Sequence, residues 1–433
     1  MAILDTRMEC CPREELEQLQ LERLQSVLNR VYKNVAFYRS LFDARAIVPE
    51  DVRTLEDFQK LPFTTRKDLA DNHPYGMFAV PLREVVRIHT ATDTTDTPTV
   101  VGYSEHDLKT WGALVARFLS AGDVTRDDVI QVSFRYGLFS GAFGLHHGAE
   151  QIGASVIPAS SEHTDRQIRI MQDYRTSVLV ATPSFALLLA DRLEALGIDP
   201  KELMLKRGLF GGEIWSEDTR QQIQQRLFIE ALDNYGVSEL MGPGIAGECL
   251  ERSGMHICED HMLPEIIDPA TGEPLGPGET GELVLTSLTR EAFPLIRYRT
   301  GDLTSLDYQT CACGRTLVRM RRIERRSDDI IIVKGINVVP QQIKKILMEI
   351  EGVEPHYRVI VSRENNRDAL TLHVAVSDHV FLDEVKHHAS FLERLRNELS
   401  HRLGMRVTVK LTEKRTLDRE LETSPQVVDT RRL

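Results

Sequence analysis

Several short stretches of this chain bring together residue types that do chemistry. Y-G-V-S-E at Tyr235–Glu239 sets an aromatic ring four residues from a carboxylate with Gly236 between them, and a carboxylate oxygen is what a hard cation such as Mg²⁺ needs beside phosphate. Y-R-T-G-D-L places Asp302 directly after Gly301 at the end of an apolar run. That position predicts an exposed carboxylate at a strand edge, able to accept two hydroxyl hydrogen bonds from a diol. Arg326 opens the charged run R-S-D-D, which leads through an apolar segment to Lys334 and Gly335. C-A-C-G puts Cys311 and Cys313 on a glycine turn, and Cys249 stands seven residues before His256. Three thiols and one imidazole suit a tetrahedral Zn²⁺, with Cys258 competing for the fourth place and free buried thiols as the alternative.

These groups must be held by elements that the chain signals in order. Leu16, Leu19, Leu24, Val27, Leu28 and Val31 recur at near-helical spacing and predict an amphipathic helix over Pro12–Tyr32. L-P-F-T-T-R-K-D-L reads as a loop entering a short helix. Between about Val100 and Gly212, short apolar runs such as V-I-Q-V at Val129 and V-L-V-A at Val178 alternate with helical stretches, which predicts a mostly parallel sheet covered on both faces. Small residues crowd Tyr136–Gly148 and let backbone approach backbone or ligand. After Leu263, two strand patterns flank a stretch rich in Pro and Gly, so there the sheet is expected to turn antiparallel. Beyond Asp328 a helix, two strands, a long helix (about Phe381–Arg402) and R-V-T-V-K-L make a compact α+β unit. The fold class is therefore α/β: a large domain with mixed sheets over 1–326 and a small mobile α+β domain over 327–433.

Composition narrows the function. With 433 residues, 42% hydrophobic and 27% charged, the chain has ordinary soluble values and room for a sizeable core. No apolar run approaches the roughly 18 residues of a membrane-spanning helix. No secretion signal is readable at the N-terminus, so a cytoplasmic setting is the expectation. Six cysteines, two of them adjacent, do not form a disulfide framework. Lys and Arg number 53 against 65 Asp and Glu, a net charge of −12 with the basic residues scattered, which argues against nucleic acid and for small molecules. A homodimer is left open.

Taken together, F-P-L-I-R-Y-R-T-G-D-L, the R-R-S-D-D hinge and Y-G-V-S-E resemble the adenylate-forming enzymes, most closely the phenylacetate–coenzyme A ligases, over nearly the whole chain. The resemblance implies roles. Tyr235 would stack on adenine, Glu239 reach Mg²⁺, Asp302 hold the ribose and Arg326 contact the nucleotide. Asp328 would be the hinge about which the small domain rotates, and Lys334-Gly335 would line the pantetheine tunnel of coenzyme A. Gly212 and Glu213, with Tyr136 and Phe139, match positions lining the adenine or acyl pocket and suggest a flat or aryl acid. A zinc site on Cys249, His256, Cys311 and Cys313 is likewise similar to one in some of these ligases.

At two places the resemblance breaks. Where the ligases carry a phosphate loop S-S-G-T-T-G-K-P-T, this chain reads A-T-D-T-T-D-T-P-T at Ala91–Thr99. Asp93 and Asp96 replace glycines and Thr97 replaces lysine, a shift of three charge units, while Thr94 and Thr95 keep their hydroxyls. One misplaced charge at about 4 Å from a phosphate costs about 4 kcal/mol at an effective dielectric of about 20. Near the C-terminus, Thr423 stands where the ligases have the lysine that bridges carboxylate and α-phosphate, and no lysine follows Lys414. Three readings follow: activation of a small acid, expected to be aromatic, as acyl-adenylate with transfer to coenzyme A or an amine and weak use of ATP; a divergent enzyme acting on a preformed adenylate, thioester or other nucleotide, AMP included; and a non-catalytic binding paralogue.

Overall fold

The computed structural model describes residues 2–91, 98–138, 140–161, 163–327, 330–364, 367–376, 385–423 and 425–431. These fall into two units, one ending at Ser327 and one starting at Ile330.

In the first unit, hydrophobic alternation and helix caps do most of the ordering. The opening helix runs Arg13–Asn34 and buries Leu16, Leu24, Val27, Leu28 and Val31 of the stripe its spacing predicts, with Leu19 only half-buried. Ser104 caps the Glu105–Ala121 helix by accepting the Asp107 N–H, and Asp107 returns the bond to the Ser104 N–H. Thr182 and Pro183 start the Pro183–Leu196 helix, and left-handed Gly197 stops it.

A nine-stranded sheet forms the centre. Ser155–Ile157, Val129–Val132, Val178–Ala181, Arg207–Phe210 and Glu230–Val237 lie parallel in that order. From Glu230–Val237 onward the pairing is antiparallel, through Gly242–Glu248 and Met255–Ile257 to Arg319–Met320 and Leu306–Asp307. The change of direction therefore comes earlier than the sequence suggests. The strand that makes it, G-P-G-I-A-G-E, lacks β-branched alternation and carries two glycines at positive φ, so it does not read as a strand. Met262–Ile267, Gly281–Ser287, Tyr298–Thr304 and Arg325–Arg326 make a separate antiparallel sheet of four strands. A two-stranded ribbon pairs Arg87–Thr90 with Val100–Tyr103.

The second unit has its own core. Val353–Glu364 and Arg367–Val376 form an antiparallel pair, flanked by Val427–Asp429 and Thr408–Glu413, each parallel to its neighbour. Tyr357, Val359, Leu372 and Val374 of this sheet pack with Leu395 and Leu399 of the Val385–Arg402 helix. Among the described residues no helix is long and apolar enough to cross a membrane.

Candidate functional site

Tyr235 lies near the carboxyl end of the Glu230–Val237 strand, the end at which open α/β sheets bind ligands, and where parallel pairing gives way to antiparallel. The next residue must be glycine, because a Cβ on Gly236 would stand 2.2 Å from the Gly242 carbonyl oxygen. The Tyr235 hydroxyl donates to Asp302 Oδ2 at 2.6 Å. Burial first, and the Asp302 charge second, hold the phenol well above its ordinary pKa, so it stays a donor.

Asp302 and Arg326 face each other across paired strands. The guanidinium pairs through Nη1 with Asp302 Oδ1 and donates through Nη2 to the Thr300 carbonyl at 2.7 Å. The Asp302 N–H donates to Thr300 Oγ1 at 3.1 Å. Asp302 is only 6% exposed, which corrects the exposed edge expected from its position. The apolar run continues past it into a sheet, and the arginine supplies the compensating charge that lets the carboxylate be buried.

Glu239, in the turn after Tyr235, is also 6% exposed. Its Oε1 accepts from the Tyr298 hydroxyl at 3.2 Å and lies 3.7 Å from Arg66 Nη2. Oxygen donors of this kind fit Mg²⁺. Arg66 begins the Arg66–Asp71 helix, whose N-cap Thr65 exchanges hydrogen bonds with Asp68. Glu213 acts locally in a different way. Its two oxygens accept from the Ser184 N–H at 3.0 Å and the Ser184 hydroxyl at 2.6 Å, anchoring the start of the Pro183–Leu196 helix. Gly212 beside it takes a φ of 75°, a conformation that suits glycine.

The half-buried Tyr136 packs edge-on against Phe143 at 5.3 Å, and its hydroxyl lies 3.2 Å from His146 Nδ1. Ser140, at the start of the Gly141–Ile152 helix, reaches Ser238 Oγ at 3.3 Å and so ties this aromatic region to the Tyr235–Glu239 turn. In the second unit, Lys334 and Gly335 both have positive φ and close the two-residue hairpin between Ile331–Val333 and Ile336–Val338. Thr94 and Thr95, with Asp93, Asp96 and Thr97 beside them, lie outside the described residues, as do Phe139 and Asp328.

The cysteines converge as expected. The ligand atoms of Cys249, His256, Cys311 and Cys313 all lie within 4.8 Å of one another. Cys249 and Cys311 have their sulfurs 3.8 Å apart, and Cys313 Sγ is 3.5 Å from His256 Nε2. Ligand bonds of about 2.3 Å to sulfur and about 2.0 Å to nitrogen around a tetrahedral zinc give edges of about 3.8 and 3.5 Å, so the four groups fit the ion. Hydrogen bonds from Cys249, and then from His256, hold the Cys313 thiol well below its ordinary value and favour the thiolate, the form that ligates a metal. Cys258 is not part of the group: its thiol donates to the Gly244 carbonyl at 3.6 Å, and burial pushes it up to about 12.

Sequence reasoning missed the supporting residues. Arg66 was visible as a cation at the start of a capped helix, and the His146-His147 doublet as a polar pair in a small-residue stretch. Tyr298 and Ser184 gave no signal of their own.

Comparison with known proteins agrees with this geometry. The AMP-binding enzyme model matches residues 110–289, and the AMP-binding enzyme C-terminal domain matches residues 335–431. The chain is 44% identical over 94% of its length to phenylacetate-coenzyme A ligase of Thermus thermophilus, covering 94% of that protein. Against the enzyme of the same name from Pseudomonas putida it is 47% identical over 86% of its length, covering 84% of the relative. Against that from Escherichia coli K12 the figures are 42%, 97% and 96%. Among solved structures, 2-hydroxyisobutyryl-CoA ligase in complex with 2-HIB-AMP and CoA superposes with a TM-score of 0.93 at 26% identity, covering 98% of this chain and 92% of that one. An amide bond synthetase from Marinactinospora thermotolerans shares the fold, with a TM-score of 0.60 at 18% identity over 77% of this chain and 66% of its own. Identity of this level along almost the entire length places the chain in the phenylacetate–coenzyme A ligase family of AMP-binding enzymes, and makes it an acid–coenzyme A ligase.

Proposed function

We propose that this ligase activates an aromatic carboxylic acid with weakened use of ATP. The acid's carboxylate attacks the α-phosphorus, pyrophosphate leaves, and the coenzyme A thiol then displaces AMP from the acyl carbonyl. The observation that carries the reading is the buried Tyr235–Asp302–Arg326 hub, whose carboxylate is held in place by Tyr235 and Arg326 near the carboxyl end of the Glu230–Val237 strand and in this reading would meet a ribose diol. In this reading Glu239 would hold Mg²⁺, whose charge offsets that of the phosphates, and Gly212 and Gly236 allow backbone to approach the nucleotide. Glu213 positions the wall behind them. Tyr136 and Phe139 take the ring of the acid, Thr94 and Thr95 donate to phosphate, Asp328 is the hinge between domains over 1–326 and 327–433, and Lys334-Gly335 guide pantetheine. The Cys249–His256–Cys311–Cys313 group holds a structural zinc that cross-links the 311–315 turn to the central sheet.

Weak ATP use rests on Asp93, Asp96, Thr97 and Thr423, which remove glycine, lysine and charge from both phosphate-handling places. The same changes favour a second reading, in which a preformed acyl-adenylate is the substrate and only transfer to coenzyme A remains. Thioester formation from ATP, Mg²⁺, coenzyme A and a panel of aryl and aliphatic acids, followed by chromatography, tests the proposal. Aryl acids should exceed short aliphatic ones in kcat/KM by roughly tenfold or more, the discrimination open to a hydrophobic pocket. Exclusive use of aliphatic acids would contradict it, and thioester formed only from synthetic acyl-adenylate would favour the second reading.

A further inference from the structure

The ring of Phe143 is flanked by polar groups, of which only Tyr136 enters the reaction above. Tyr136 meets one edge at 5.3 Å and His89 another at 5.3 Å between centroids, while the Arg87 guanidinium lies 5.3 Å above it. From Arg87 a continuous chain of hydrogen bonds runs to the Tyr136 hydroxyl. Arg87 Nη1 meets His147 Nε2 at 2.9 Å, His147 Nδ1 meets Glu150 Oε2 at 3.2 Å, Glu150 Oε1 meets His146 Nε2 at 3.1 Å, and His146 Nδ1 meets Tyr136 Oη at 3.2 Å.

One end of this hydrogen-bond chain has a fixed polarity, and that polarity propagates. A guanidinium can only donate, so His147 Nε2 accepts and its Nδ1 carries the proton that Glu150 receives. The carboxylate accepts again from His146 Nε2–H, which in the neutral ring leaves His146 Nδ1 as an acceptor. The Tyr136 proton is therefore committed to His146, and the free side of Tyr136 Oη presents only lone pairs. Burial raises the pKa of the Tyr136 phenol, which keeps its proton in place for this donation.

His89 reaches the same polarity independently. Its Nδ1 lies 3.0 Å from the Leu138 carbonyl and must donate to it, so in the neutral ring Nε2 is an acceptor. The residue is 3% exposed, enclosed by Tyr103, Trp111 and Phe143, and Nε2 has no hydrogen-bond partner among the described residues. Burial lowers its pKa and favours the neutral form. A buried acceptor left without a donor is costly unless a ligand or water fills it.

We infer that Tyr136 Oη is a hydrogen-bond acceptor on the acyl site, selecting acids whose ring carries a hydroxyl or amino donor, with His89 Nε2 a second acceptor buried against the same Phe143 ring. This inference rests on the reading that Tyr136 borders the acyl site. Tyr136 is the specificity determinant, while Arg87, His147, Glu150 and His146 are positioning residues that set which way the protons point.

The test compares kcat/KM for phenylacetic, 3- and 4-hydroxyphenylacetic and 4-methoxyphenylacetic acids, since methoxy has similar size but only accepts. The wild-type enzyme should favour the better hydroxy acid over the methoxy acid by roughly tenfold, the worth of one well-made hydrogen bond. Tyr136→Phe should reduce that ratio. Glu150→Gln is the sharper variant, because an amide must offer its oxygen to His147 and its NH₂ to His146. His146 Nδ1 then becomes a donor, Tyr136 turns its own proton outward, and the preference should move toward the methoxy acid. A ratio within one enzyme is insensitive to general damage. Equal use of hydroxy and methoxy acids by the wild type, or an unchanged ratio in Glu150→Gln, would overturn the inference alone. Turnover of aliphatic acids only would overturn it together with the aryl reading.

Discussion

Asp302 shows how a buried carboxylate can be fixed in place by the groups around it. Tyr235 and Arg326 take one oxygen each and fix the plane of the carboxylate. Asp302→Asn should leave Arg326 as an uncompensated buried charge, costing about 3 kcal/mol or more in a thermal melt. AMP affinity measured by calorimetry should fall at least about tenfold, because the mutant amide offers one acceptor instead of two. A second test concerns Asp233, two residues before Tyr235. Burial, and then Glu248, push its carboxyl up from its ordinary 3.8 to about 7. The folded state thus keeps this proton to higher pH than the unfolded state does. The associated stability is complete below pH 3.8 and is lost as pH rises through about 7. Asp233→Asn should remove that loss, so the variant should gain a few degrees in melting temperature over the wild type at pH 8 and little at pH 5.

At the scale of elements, what could be read in advance followed local periodicity. The opening helix, the parallel strands at Val129 and Val178 and the hairpin-linked pair in the second unit all carried regular patterns. The Gly242–Glu248 strand did not, because its glycines serve close approach rather than sheet propensity. For the same reason Asp302 was expected at an open edge: one strand's sequence cannot reveal that Arg325–Arg326, from a remote stretch, will cover it. The cysteine pairing was legible because thiol spacing on a glycine turn is itself the signal, although only the fold could exclude Cys258. Purified protein should contain about one zinc per chain by elemental analysis, and Cys311→Ser with Cys313→Ser should lose the metal and melt at a lower temperature. Gly236→Ala should cost on the order of 2 kcal/mol or more in melting experiments, since its Cβ meets backbone that cannot move without breaking the strand pair.

For the whole molecule, the proposed function pairs an adenosine end at Tyr235, Asp302 and Arg326 with phosphate-handling stretches changed at Asp93, Asp96, Thr97 and Thr423. If those alterations act separately on binding and on the transition state, they should be separable by restoration. Asp93→Gly, Asp96→Gly and Thr97→Lys together should recover ATP binding, and Thr423→Lys should be needed before the adenylation rate rises. The most direct measurement is ATP–pyrophosphate exchange by the unmodified enzyme with an aryl acid and Mg²⁺. Weakened ATP handling requires exchange far below the rate on the order of 10 s⁻¹ usual for enzymes. Exchange at that rate would mean that the altered loop and the missing lysine are fully compensated elsewhere, and would contradict the account.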